Sequence, residues 1–215
     1  MKALELPGYS DLGEAERIAV LYAPKPLRPR YHLLLLLDAR LARIALVARE
    51  PALAQLKLAW WRDALADRAA AGGDPLVRQL AAGWQDGIES LAGLIDAWEE
   101  LAVREGAVLP AAERLADARA DAFAEVAGVA ADGACRAAAR CWTFASLAAK
   151  EASQAERDAL CQAGRAVGAA NLPRSLRPLA VLDGLARRAL KRGGGLLLGD
   201  RLSPLAALRL GIFGR

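Results

Sequence analysis

Two acidic pairs with helical spacing, Asp63–Asp67 and Asp117–Asp121, are the first residues to weigh for chemistry. Carboxylates four apart on a helix project from one face and can share a divalent cation. Each pair is interleaved with small or apolar residues and has arginine in or beside it (Arg62, Arg68, Arg119). That pattern fits a solvated, ion-paired helix face. A metal site that binds diphosphate needs two opposed clusters on facing helices, and one DxxxD does not make it. The single histidine, His32, leaves Ser-His-Asp and Cys-His triads one base to share, and no nucleophile motif accompanies it. It reads as a partly buried helix residue beside Tyr31. No zinc-ligand spacing occurs, and no glycine-rich phosphate loop follows a strand. Gly193-Gly194-Gly195 reads as a flexible turn between helices. Cys135, Cys141 and Cys161 form no CxxC pair and are odd in number, which predicts no structural disulfide and a reducing compartment.

The elements that would position these groups are helices. The chain of 215 residues is 55% hydrophobic and rich in alanine and leucine, and such residues lose little on entering a helix. Nothing alternates with the period of a strand over a useful length. Proline, glycine and capping residues divide the chain into segments. A first helix capped by Ser10 or Asp11 stops before Pro24. A second covers about 27–48. A third opens at Pro51 and ends at Gly72-Gly73. Asp74-Pro75 opens a fourth, Asp86 a fifth that closes at Gly106, and Pro110 and Gly128 bracket a sixth. Asp132 opens a seventh that reaches about Lys150. Ser153 to Glu156 forms a capping box for an eighth that runs to Leu172. A ninth covers about 178–192, and Ser203-Pro204 opens a short last one. Leu33 to Val47 is apolar on more than one face, so the second helix belongs in the middle of a bundle. The fold class is therefore all-α, one compact helical bundle in a single domain. No signal pattern opens the chain and no apolar run approaches the roughly 20 residues of a membrane span, so a cytoplasmic location is predicted.

Charge is uneven along the chain. From Arg165 onward ten basic residues stand against Asp183 and Asp200, which gives that part +8 and leaves −4 for the rest of a chain whose net charge is +4. A basic end on an acidic body suits an anionic partner. The segment 193–215 also carries Leu196, Leu197, Leu198, Leu202, Leu205, Leu208, Leu210, Ile212 and Phe213 among Arg201, Arg209 and Arg215. Apolar burial combined with basic attraction predicts docking on an anionic membrane surface, at the inner face of the membrane. Packing of the same leucines against the bundle core is the competing expectation. Aromatics are not interleaved with the basic residues, and no nucleic-acid partner is predicted.

One segment is more specific. Leu56 to Leu65 reads LKLAWWRDAL, preceded by DARLARI at Asp38 to Ile44 and by Arg49-Glu50-Pro51. It resembles the squalene/phytoene synthase family, and most of all a divergent branch of it that includes a mitochondrial assembly factor for respiratory complex I. LIDAWEEL at Leu94 to Leu101 and GRAVGAANLPR at Gly164 to Arg174 follow in the family's order, so the likeness spans about 27–182. The resemblance implies a shortened isoprenoid-synthase-like fold. It also implies a site in which two aspartate clusters hold Mg²⁺ against prenyl diphosphates. In the first cluster's place only Asp38 is acidic, followed by Ala39, Arg40, Leu41 and Ala42. In the second cluster's place stand Ser175 and Leu179. The expectation is a degenerate member with no catalytic residue, no metal and no cofactor. A remnant diphosphate site would be built from Asp38, Arg40, Arg43, Asn171 and Arg174, since arginine can grip phosphate through paired hydrogen bonds.

Two functional classes follow. The first is a non-catalytic binding or assembly factor acting near a membrane, with an isoprenoid or lipid ligand and a membrane-complex protein as partners. The alternative is an active prenyltransferase working through relocated acids, Asp63 and Asp67 or Asp96 and Glu100. The adjacent tryptophans Trp60 and Trp61 read as scaffold, because neighbours on a helix point about 100° apart and one of the two can enter the core.

Overall fold

Proline at the first or second position opens four of the helices, where the missing amide would have had no intrahelical partner. The computed structural model describes residues 8–48, 50–67, 74–84, 88–169 and 171–198. Among the described residues the chain forms nine α-helices and no strand: α1 Glu14–Tyr22, α2 Arg28–Val47, α3 Pro51–Ala66, α4 Pro75–Gly83, α5 Ile88–Ala102, α6 Val108–Ala127, α7 Gly133–Ala148, α8 Gln154–Ala166 and α9 Arg177–Lys191. The expected all-α bundle is what forms. The expected helix stop at Gly72-Gly73, the start at Asp86, the last short helix and positions 199–215 of the C-terminal segment lie outside the described residues.

The second helix is the strut of the bundle. Eight consecutive residues, Tyr31 to Asp38, are buried on all its faces, and α2 touches α1, α3, α4, α5 and α6. Around it α3, α5, α6, α7, α9 and α1 pack in series, with α8 lying against α7 and α9. The Tyr31 hydroxyl donates to the Ser175 carbonyl at 2.7 Å, which ties this strut to the turn that opens α9. No described helix is long and apolar enough to cross a membrane. All three cysteines are free and buried, and burial pushes the thiols of Cys135 and Cys141 up to about 11 and about 12, so neither is a ready thiolate.

Several local expectations change, each for a physical reason. Neither Ser10 nor Asp11 caps α1. Residues 9–11 form a 3-10 turn, Leu12 enters the core, and the cap position moves to Gly13. The capping box at Ser153 is half made. Its hydroxyl accepts from the Glu156 amide at 3.5 Å, but Glu156 reaches across to the Val108 amide at 2.8 Å and joins the starts of α8 and α6. The eighth helix stops at Ala166, short of Leu172. The Arg187 guanidinium takes the freed carbonyls of Val167 and Gly168 at 2.9 and 2.6 Å, which holds the chain in an extended exit. The glycine run after α9 is not a loose turn. Gly193 and Gly194 have φ of 92° and 83°, and their amides close a Schellman motif on Leu190 and Ala189. A Cβ on Gly194 would stand 2.5 Å from Cys161 Sγ, so glycine alone fits there.

The two tryptophans divide as their spacing implies. Trp61 is 5% exposed and Trp60 is 45% exposed, with the rings edge-on at 5.2 Å. Trp61→Ala is expected to cost about 3–5 kcal/mol, and Trp60→Ala about 1 kcal/mol or less. Urea unfolding of the two variants checks this, with the Trp61 variant showing by far the larger fall in midpoint.

Candidate functional site

The spacing of residues along α2 creates a cavity on one of its faces. Leu35, Asp38, Ala39, Ala42, Arg43, Leu46 and Val47 recur at three- and four-residue intervals, hence on one side of the helix. Two alanines in that row leave room that larger side chains would fill. The resulting cavity has a volume of about 560 Å³ and a largely apolar lining. The start of α1 closes one side with Glu14, Ala15 and Glu16. Trp98 of α5, Arg119 of α6 and Trp142, Ser146 and Leu147 of α7 close the others. The Schellman turn aims the chain back across the rim, where Leu196, Leu197 and Leu198 complete the lining.

The floor of this cavity is a closed polar node. Arg119 Nε and Nη2 donate to the two carboxylate oxygens of Asp38 at 3.1 and 2.8 Å, and both side chains are less than a tenth exposed. The Trp98 indole N–H adds a third donor to Asp38 at 2.8 Å. Arg119 Nη1 donates to the hydroxyls of Thr143 and Ser146 at 3.1 and 3.3 Å. Its guanidinium lies 4.0 Å from the Trp142 ring centroid and 5.2 Å from that of Trp98, within cation–π range of both. A buried charge is tolerable only when it is paired and hydrogen-bonded, and this node satisfies that condition with four helices. Asp38 has both oxygens occupied by protein donors, which leaves it poorly placed to ligate a metal ion.

Glu16 is the second acid of the cavity. It lies close enough to Asp38 and Arg119 for their charges to act on its carboxyl. Burial holds that carboxyl above the ordinary glutamate range, and the Asp38 charge pushes the same way; its own backbone amide, Arg119 and Lys150 act against them. The Trp142 indole N–H is buried and finds no acceptor among the described residues, although the ring lines the cavity.

The residues expected in a remnant diphosphate site are not brought together. Asp38 and Arg43 line the cavity, but Asp38 is held by Arg119 and Arg43 is exposed at the mouth. Arg40 turns to Asp74 at 3.1 Å, with Asp11 at 3.9 Å, and is not part of the lining. Asn171 and Arg174 are exposed and also stand outside it, because α8 ends early and the chain passes through an extended stretch before α9. His32 is buried inside α2 next to the Tyr9 ring, at 6.0 Å between centroids, and does not line the cavity.

The acids considered for relocated chemistry face outward. Asp96 accepts from Arg62, Glu100 pairs with Arg114, and Asp63 and Asp67 are exposed. Asp117 and Asp121 pair with Arg136 on the surface. Among the described residues, no three His, Cys, Asp or Glu side chains gather where a metal ion could be held.

Arg119 was legible in principle. It lies two residues from Asp117 and from Asp121, so when those face water it points the other way, into a row with Leu115 and Phe123. Glu16 gave a similar signal, three and four residues before Ala19 and Val20 on the buried side of α1. Neither position declares a partner from sequence alone. Compared with protein-family models, with curated proteins and with solved structures, the chain matches none of them.

Arg119→Met strands a buried carboxylate and should cost about 3–5 kcal/mol. Adding Asp38→Leu to it should recover a large part of that loss. Chemical denaturation of both single variants and the double variant measures the coupling, and additive losses would show that the pair does not act as a unit.

Glu16 gives a stability signature in pH. A raised carboxyl pKa means the folded chain holds that proton more tightly than the unfolded chain. Its contribution is therefore present at low pH and lost as pH rises from the unfolded value through the folded one. Glu16→Gln should raise the melting temperature at neutral pH, and the gain should shrink to nothing as pH falls below the ordinary glutamate range. Melting curves across that range check the sign.

Proposed function

We propose that this chain is a non-catalytic helical protein that binds an isoprenoid or other lipid chain, and that it acts as a binding or assembly factor close to a membrane. The observation that carries this reading is the cavity of about 560 Å³, whose lining is largely apolar, with charged side chains at its floor and at its mouth. Its volume lies within the range of about 300–1,000 Å³ common to small-molecule sites. The resemblance of LKLAWWRDAL and its flanking segments to squalene/phytoene synthases supplies the class of ligand. The fate of Asp38, which receives Arg119 and Trp98 where the resemblance would place a metal-binding cluster, supports a binding role over a catalytic one.

Membrane proximity rests on two features. The cavity mouth is bordered by Leu46, Val47 and Leu196, all exposed, with Arg43 and Lys150 beside them. Apolar side chains flanked by basic ones favour contact with an anionic lipid surface. A chain drawn from a bilayer would enter through such a mouth. A protein partner within a membrane complex is the corresponding expectation for an assembly role.

Binding of the uncharged dye Nile red, read as a blue-shifted gain in emission, tests the cavity. The expected outcome is saturable binding by the parent chain and at least a tenfold loss in Ala42→Phe, which fills the cavity from α2. Equal binding by both proteins, with Ala42→Phe melting like the parent, would place the dye elsewhere and remove the basis of the reading. Incubation with farnesyl diphosphate and Mg²⁺ should release no diphosphate above a blank.

A further inference from the structure

If the cavity holds an apolar chain as proposed above, its polar floor decides which end group that chain can carry. The guanidinium that would attract an anion is already occupied: Arg119 gives Nε and Nη2 to Asp38 and Nη1 to Thr143 and Ser146, and tryptophan rings cover it. Two carboxyls, Asp38 and Glu16, stand beside that one guanidinium, so the inner end of the cavity carries no surplus positive charge. Arg43 and Lys150 stand exposed at the mouth, where solvent weakens them and Asp11 and Glu14 of the same lining oppose them.

We infer that the cavity takes an apolar chain ended by an uncharged oxygen group, a hydroxyl or a carbonyl, seated at Glu16, and that it rejects a diphosphate. A Glu16 carboxylate accepts from a ligand hydroxyl, and a protonated Glu16 donates to a ligand carbonyl. Burial holds the Glu16 proton more firmly than usual, so the second mode extends to higher pH than an ordinary glutamate allows. A diphosphate placed at the same point would bring several negative charges against Asp38 and Glu16 in a site shielded from water, with no free guanidinium to receive them.

The test compares ligands with one chain and different heads. Farnesol and farnesyl diphosphate, each below its aggregation limit and without Mg²⁺, are titrated into the full chain at neutral pH, and quenching of tryptophan emission is read. Trp98 and Trp142 line the cavity and report its filling. The expected result is farnesol binding at least about tenfold tighter than farnesyl diphosphate. Glu16→Gln should narrow that ratio by admitting the diphosphate more readily, with its fold checked by circular dichroism. Equal affinity for the two would overturn the head-group inference while leaving the apolar cavity standing. Tighter binding of the diphosphate would overturn it as well, and would place the charged head at Arg43 and Lys150 at the mouth. Failure of both ligands to bind, in a protein that still takes up Nile red, would also refute it. If Nile red is not taken up either, the binding reading itself falls.

Discussion

The bidentate pair between Asp38 and Arg119 is the interaction on which the interior depends. It joins residues 81 positions apart and sits with both side chains almost wholly out of water. Neither charge could remain there alone, since an unpaired buried ion costs several kcal/mol. The pair therefore fixes how α2 and α6 face one another. Trp98 brings α5 to the same carboxylate, and Thr143, Ser146 and Trp142 bring α7 to the same guanidinium. Four helices in one bundle thus share a single electrostatic condition. Hydrophobic burial supplies most of the driving force for such a bundle, but it is non-directional. The polar node adds the direction that apolar packing lacks.

The same node shapes the cavity. Because Asp38 must reach Arg119, the face of α2 that carries it turns toward α6, with Ala39 beside it and Ala42 one turn on. Small residues on that face leave space that Leu35 and Leu147 border without filling. At the far side, Gly194 fits against Cys161 and Ala148 more closely than any side chain would permit, and this approach directs Leu196 to Leu198 over the rim. A charge pair and a glycine contact, far apart in sequence, together define one apolar chamber. The chamber is a consequence of packing constraints, and its floor is polar for the same reason that the fold is specific.

The secondary structure was largely written in local chemistry. Proline openings at Pro51 and Pro75, side-chain caps from Asp74 and Asp132, and the left-handed glycine Gly128 mark helix boundaries through interactions within a few residues. The central place of α2 was also legible, because a helix apolar on several faces has no side to give to water. The division of Trp60 and Trp61 into an exposed and a buried ring follows from a helical turn of about 100° per residue. Where local reading failed, a distant group had intervened. Arg187 took the carbonyls of Val167 and Gly168 just past the end of α8, and Val108 drew Glu156 out of its capping box.

The functional residues divide along the same line. Sequence by itself determined that the fold is all-α, that no acid accompanies Asp38 at positions 39–42, and that His32 is the single histidine. These are statements about residue types and spacing, which periodicity and composition contain. Only the tertiary structure decided that Asp38 faces Arg119, that Arg40 leaves for Asp74, and that Asn171 and Arg174 stand apart from the cavity. Partner choice among some two dozen acids and a similar number of bases is not a local property. It depends on which helix faces meet, and that is set by the packing of the whole bundle and by the cost of leaving any buried charge unpaired.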